Sequence, residues 1–186
     1  MGRPILHVPN LVVREQLFRF LIQGYARHDI FKLDVNRLIS LFEEMSFKGD
    51  WKPLFEFVAE AIREQSRIRE YIEGEAHIKG FLLAYLSMFR YYQLFPEYEM
   101  NKGFADFFFR PNPAAPVMPP YTYLLEVKYA KADASEKEIR ALADDAREQL
   151  IRYSKDECVA EAREKGSLKL ITVVWRSWEL ALLEEV

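Results

Sequence analysis

Two strand-like runs separated by a helix-like one, between residues 121 and 175, decide most of what this chain can fold into. Residues 121–129 are aromatic and β-branched, the composition that suits a pleated, buried surface. Asp133-Ala134-Ser135 then opens a helix, and Ser135 with Glu138 has the S-x-x-E spacing of a capping box. Ile139, Leu142, Ala143, Ala146 and Leu150 fall on one face of it. Gly166 is expected to end this helix, and residues 168–175 read as the next strand. A strand, a crossover helix and a strand in one sheet make parallel neighbours joined right-handedly.

The first hundred residues carry a different pattern. Leu11, Val12, Leu17, Phe18 and Leu21 recur at helical spacing behind Pro9 and a capping Asn10. Asp34 precedes a second stretch with Val35, Leu38, Ile39, Phe42 and Met45 on one face. Gly49-Asp50 is read as the stop of that helix and the cap of a third, built on Leu54, Phe55, Val58, Ala59 and Ile62. A fourth is predicted over 74–95, with Ile78, Phe81, Leu82, Tyr85, Leu86 and Phe89 as its stripe and Pro96 as its end. Residues 97–100 look extended, and Asn101-Lys102-Gly103 has turn chemistry. Residues 104–110 form a Phe-rich strand candidate, and a loop with five prolines reads as an insertion in a hairpin. A last strand is predicted over 178–183. The expected architecture is α/β: a mixed sheet flanked by helices over residues 73–186, preceded by a helical N-terminal portion over 1–72.

Composition narrows the function classes. The chain has 186 residues, half of them hydrophobic and 15% aromatic. A chain of that length and content predicts a packed domain and excludes disorder. Cys158 is the single cysteine, which excludes a disulfide framework and a multi-cysteine zinc cage. No apolar run approaches the ~18 residues of a membrane span, and no secretory leader is recognisable; the expectation is a soluble, cytoplasmic protein. The formal net charge is −3, so nucleic-acid binding would need a local basic patch. Neither G-x-x-x-x-G-K-[ST] nor G-x-S-x-G occurs.

The informative polar residues are those on strands that otherwise read as buried. Two-residue alternation groups Phe104, Asp106 and Phe108 on one face, and Leu124, Glu126 and Lys128 on one face of the next strand. Paired as an antiparallel hairpin, these strands bring Asp106 and Glu126 together. Two adjacent carboxylates repel unless a cation lies between them. Hard oxygen ligands beside an ammonium suit Mg²⁺ and a phosphate. Taken singly, Glu-x-Lys on a strand is ordinarily a solvated face, and an Asp after a glycine turn is ordinarily a turn residue.

The combination is more specific. Gly103-x-x-Asp106, Glu126-x-Lys128 and Gln149-x-x-x-Tyr153, in that order, resemble the PD-(D/E)XK nuclease superfamily. More closely, the chain resembles the C-terminal nuclease-like domain found after an AAA-type ATPase domain in many bacterial proteins; Pro9-Asn10-Leu-Val-Val-Arg14, Asn101-Lys-Gly-Phe-Ala-Asp106 and Tyr123-Leu-Leu-Glu-Val-Lys-Tyr-Ala-Lys131 carry that likeness. It departs from the family pattern at Ala105, where a proline is usual. The resemblance implies a restriction-endonuclease-like fold and Mg²⁺ (or Mn²⁺) held by Asp106, Glu126 and the Val127 carbonyl. It further implies Lys128 as the residue that orients water and stabilises phosphoryl charge, and Glu75 as an additional carboxylate. Gln149 and Tyr153 would position substrate, or form one buried hydrogen-bonded pair. The expected partners are nucleic acid, DNA by default, and an AAA-type ATPase domain fused or adjacent, the chain being a domain excised from or encoded beside a longer protein. The competing function is a non-catalytic interaction or regulatory module of such an ATPase. His77 near Glu75 is a weaker candidate contact, His7 and His28 have no ligand spacing, and the acids before Cys158 argue against a thiol nucleophile.

Overall fold

The computed structural model describes residues 34–64 and 74–186, and those from Asn36 on belong to one unit. The helix predicted over 11–22, with His7 and His28, lies outside the described residues. Helix α1 (Val35–Lys48) follows Asp34 and buries Leu38, Leu41, Phe42 and Met45. Gly49 ends it at φ 73, a left-handed backbone that glycine adopts freely, and a Cβ there would come within 2.8 Å of the Tyr121 ring. Helix α2 (Lys52–Glu64) buries Leu54, Phe55, Val58, Ala61 and Ile62. It starts two residues after Asp50, so Trp51 and not Asp50 precedes it.

Helix α3 (Glu75–Leu86) buries Ile78, Leu82, Tyr85 and Leu86 as predicted, but it ends nine residues early. Tyr92–Met100 is strand β1, at the edge of the sheet. The aromatic residues that continued the helical stripe suit either period. They settle as strand because they pair with β2 (Gly103–Pro111), Tyr92 opposite Pro111 and Phe95 opposite Phe108. Pro96, expected to stop a helix, sits within this edge strand, where a missing N–H is tolerated. The turn between β1 and β2 falls at Asn101 and Lys102 as read from sequence.

Five strands stand in the order β1-β2-β3-β4-β5, with β3 (Thr122–Ala130), β4 (Leu168–Arg176) and β5 (Glu179–Glu185) following β1 and β2. β2 and β3 are antiparallel across the proline-rich loop, β3 and β4 are parallel, and β5 is antiparallel to β4. The crossover between the parallel pair is helix α4 (Glu136–Tyr153), capped by Ser135 in a complete capping box with Glu138. It does not run to Gly166. Ser154 caps its C-terminus, Asp156 starts a 3₁₀ turn at Glu157–Val159, and a short helix, α5, covers Ala160–Glu164. The break has a local cause: the Asp156 carboxylate accepts from the Cys158 N–H at 2.9 Å and from the Asn101 N–H at 2.9 Å, so it caps one element and ties down the β1–β2 turn.

The sheet is covered on both faces. Under α4, Ala105, Phe108, Leu124, Leu150, Tyr153 and Val159 form one cluster; Ala130, Ile139, Ala143 and Val174 form another. On the opposite face Tyr92, Phe109 and Tyr123 stack edge to face, and the Tyr123 hydroxyl donates to the Met45 carbonyl at 2.6 Å. The Trp51 indole N–H likewise reaches Glu185 at 2.8 Å, fixing the first two helices to the sheet. The alternation predicted for 104–109 fails at one point: Ala105 joins Phe108 in the α4 cluster, and Phe104 is more than half exposed. The β2–β3 ladder covers only Phe107–Phe109, and the facing strand is irregular at Glu97, so the strand is free to turn there. No helix among the described residues is long and apolar enough to cross a membrane.

Candidate active site

β2 supplies Asp106, and β3 supplies Glu126 and Lys128. The register that sets Phe107 opposite Leu125 and Phe108 opposite Leu124 brings Asp106 alongside Glu126 at the next step. Both carboxylates are buried, at 4% and 2% exposure. The backbone N–H of Val127 donates to Asp106 Oδ2 at 2.7 Å, and Lys79 Nζ from α3 forms an ion pair with Asp106 Oδ1. Across the site, Lys128 Nζ donates to Glu126 Oε1 at 2.8 Å. The Gln149 amide lies over this pair. In the orientation that satisfies both its ends, its nitrogen donates to Glu126 Oε1 at 2.5 Å and its oxygen accepts from Lys128 Nζ at 3.1 Å. Glu126 Oε2 is buried with no hydrogen-bond partner among the described residues.

Charge and burial set the proton affinities. Burial, then the negative charge of Asp106, push the Glu126 carboxyl up to about 7 against the opposing pull of Lys128 and Lys79. Burial also raises the Asp106 carboxyl, offset in part by Lys79 and by the Val127 N–H. For Lys79, burial favours loss of the proton, but the Asp106, Glu75 and Glu97 carboxylates together outweigh it and hold the ammonium charged. Desolvation and the neighbouring Asp156 push the Cys158 thiol up to about 12, which fits its expected inertness as a nucleophile.

Of the residues predicted from sequence, Asp106, Glu126, Lys128, Val127 and Gln149 come together. Glu75 approaches Asp106 only through Lys79, whose ammonium lies 2.9 Å from Glu75 Oε1. Tyr153 goes elsewhere: it is buried in the α4 cluster, and a Cβ on Gly103 would come within 2.5 Å of its hydroxyl. The glycine of Gly103-x-x-Asp106 is therefore the seat of that tyrosine. His77 is exposed at the start of α3.

Two residues escaped the sequence reading. Lys79 left only the trace of Glu75-x-x-x-Lys79, a spacing that ordinarily marks a surface helix pair. Thr172 stands opposite Glu126 in the parallel register of β4, and its buried hydroxyl, like Glu126 Oε2, has no partner among the described residues. A buried Thr on a central strand carries no signal of its own.

Among the described residues no group of three or more His, Cys, Asp or Glu side chains is arranged to hold a metal ion. The donors present fit a hard divalent cation nonetheless. Two carboxylates meet at the site, one has a buried oxygen without a partner, and Mg²⁺ commonly takes one or two carboxylates while keeping waters and substrate phosphate. A family model described as the PD-(D/E)XK nuclease superfamily matches residues 73–185, the span from α3 to β5. A search of curated proteins finds no match to the chain.

Proposed function

The chain belongs to the PD-(D/E)XK nuclease superfamily, and from that premise we propose that Asp106, Glu126 and Lys128 form a metal-dependent site that hydrolyses phosphodiester bonds of nucleic acid. The observation that carries this reading is the pairing of Asp106 with Glu126-Val127-Lys128 on adjacent strands, with one carboxylate oxygen buried and unpartnered. A buried polar atom left without a hydrogen bond is costly, and a bound cation would satisfy this one. Asp106, Glu126 and the Val127 carbonyl are the ligands we assign, with Glu75 as an outer carboxylate. Bound there, Mg²⁺ or Mn²⁺ supplies Lewis-acid stabilisation of phosphoryl charge and acidifies water.

The remaining chemistry belongs to side chains. Lys128 provides a fixed positive charge where negative charge develops on the phosphate, and a site of low dielectric strengthens that effect. Gln149 keeps the lysine aimed by accepting from its ammonium and holds Glu126 in one rotamer. Tyr153 contributes by packing α4 against the start of β2. DNA as the substrate, and an AAA-type ATPase domain fused to or encoded beside this one, are carried by the resemblance of the motifs given above. The experiment is cleavage of plasmid and oligonucleotide DNA, and of RNA, by the purified chain. We expect Mg²⁺-dependent or Mn²⁺-dependent cleavage that Glu126→Gln abolishes. Wild-type protein that cleaves nothing, with the ATPase restored as well as without it, establishes the non-catalytic module instead.

A further inference from the structure

Lys79 is the least explained member of the site. Its ammonium meets three carboxylates from three elements: Glu75 Oε1 on α3 at 2.9 Å, Glu97 Oε1 on β1 at 3.0 Å, and Asp106 Oδ1 on β2. Glu97 has φ 47, a left-handed backbone that a glutamate rarely adopts, and it interrupts the β1–β2 ladder between Pro96 and Tyr98. The irregular residue is one of those that pair with Lys79.

Both Asp106 oxygens are engaged, Oδ2 by the Val127 N–H and Oδ1 by Lys79. A metal ion ligated by Asp106 therefore competes with an ammonium already beside that carboxylate, and two cations within a few ångströms repel. The charge count has room for the exchange. Among the described residues, Glu75, Glu97, Asp106 and Glu126 pair with the ammonium groups of Lys79 and Lys128, and with all four carboxylates ionised the excess of two negative charges equals the charge of one divalent cation.

Resting on the metal-site reading above, we propose that Lys79 is a built-in counter-cation that neutralises Asp106 in the metal-free protein and is displaced from it when a divalent cation loads. Its ammonium stays beside Glu75 and Glu97, at the partly exposed edge of the site, where a substrate phosphate is its natural next partner. Metal affinity is consequently low in the free protein and rises when nucleic acid is present.

The test measures Mn²⁺ binding to the full chain, by calorimetry and electron paramagnetic resonance, without nucleic acid. Lys79→Gln should bind Mn²⁺ at least tenfold more tightly than wild type, Lys79→Arg no more tightly, and Asp106→Asn at least tenfold more weakly. Amine-reactive labelling of the wild type, read by mass spectrometry, should show Lys79 at least threefold more reactive in saturating Mn²⁺, with the exposed Lys48 unchanged. If Asp106→Asn loses Mn²⁺ while Lys79→Gln binds no better than wild type, the displacement idea is wrong and the metal site stands. If Asp106→Asn binds as wild type does, the metal-site reading itself fails. Should Lys79→Gln not fold, labelling decides alone, and a Lys79 equally protected with and without Mn²⁺ overturns the proposal.

Discussion

Asp106 Oδ2 accepts a 2.7 Å hydrogen bond from the backbone N–H of Val127, the residue between Glu126 and Lys128. One carboxylate thus fixes its own strand to the strand that bears the other two site residues. Asp106→Ala leaves that buried N–H without an acceptor and Lys79 without its buried partner, and should cost about 1–3 kcal/mol. Asp106→Asn keeps an acceptor oxygen of the same shape and should cost less, while losing metal as fully. Urea denaturation of both variants in EDTA checks this; an alanine variant as stable as the asparagine one contradicts the clamp.

The Glu126 carboxyl predicts how stability varies with pH. Its folded value of about 7 lies above the ordinary 4.5, so the folded state binds the proton more tightly than the unfolded state does. That contribution is fully present below pH 4.5 and is lost as pH rises through 7. Metal-free wild type should therefore lose up to about 3 kcal/mol relative to Glu126→Gln between pH 4 and pH 8. Metal binding has the opposite sign, because cation and proton compete for the same carboxylate: affinity should climb below pH 7 and level off above it. Denaturation of the two proteins in EDTA across that range gives the difference directly; parallel curves contradict the assignment.

Much of this site was legible because strand alternation and antiparallel pairing are local rules. They carried Asp106, Glu126 and Lys128 to one place from sequence alone, and the capping box at Ser135 fixed the start of the crossover helix. What escaped depended on distant contacts. Lys79 joins Asp106 across a helix–sheet interface that no local pattern encodes. The helix predicted over 74–95 overruns Leu86 because aromatic residues satisfy both periods, and pairing with β2 decides between them. Gly166 is a break, at φ 66, but Asp156 had already ended the helix upstream by offering its carboxylate as a cap.

Gln149 and Tyr153, one helical turn apart, should behave as residues of different kinds. Gln149→Ala removes a bridge between Lys128 and Glu126 and should lower cleavage about tenfold, with a stability loss of about 1 kcal/mol. Tyr153→Ala empties a packed position and should cost about 3–5 kcal/mol, whereas Tyr153→Phe should fold and cleave nearly as wild type. Cleavage lost in Tyr153→Phe at unchanged stability would give the tyrosine a direct substrate role and refute its placement as packing.

Gly103 supplies an independent check on that packing. A methyl group there meets the Tyr153 hydroxyl at 2.5 Å, and the ring is buried with little room to yield. Gly103→Ala should destabilise by about 1–3 kcal/mol, and part of the loss should return when combined with Tyr153→Phe, because removing the hydroxyl relieves the shortest contact and leaves the ring edge at 3.0 Å. A double-mutant cycle by thermal denaturation reads the coupling; strictly additive effects contradict it.

On the proposed function, phosphodiester cleavage depends on a lysine that is not itself a metal ligand. Lys128→Ala tests it when Mn²⁺ binding and single-turnover DNA cleavage are measured on the same preparation at pH 8. Losing Lys128 removes one of the two ammonium groups that pull the Glu126 carboxyl down, so both proteins are compared in saturating Mn²⁺, where the cation displaces the proton. The expected result is a folded variant that retains Mn²⁺ within a fewfold of wild type and cleaves at least a hundredfold more slowly, a loss of about 3 kcal/mol in transition-state stabilisation. A Lys128→Ala protein that cleaves as fast as wild type contradicts it, because the activity then arises elsewhere.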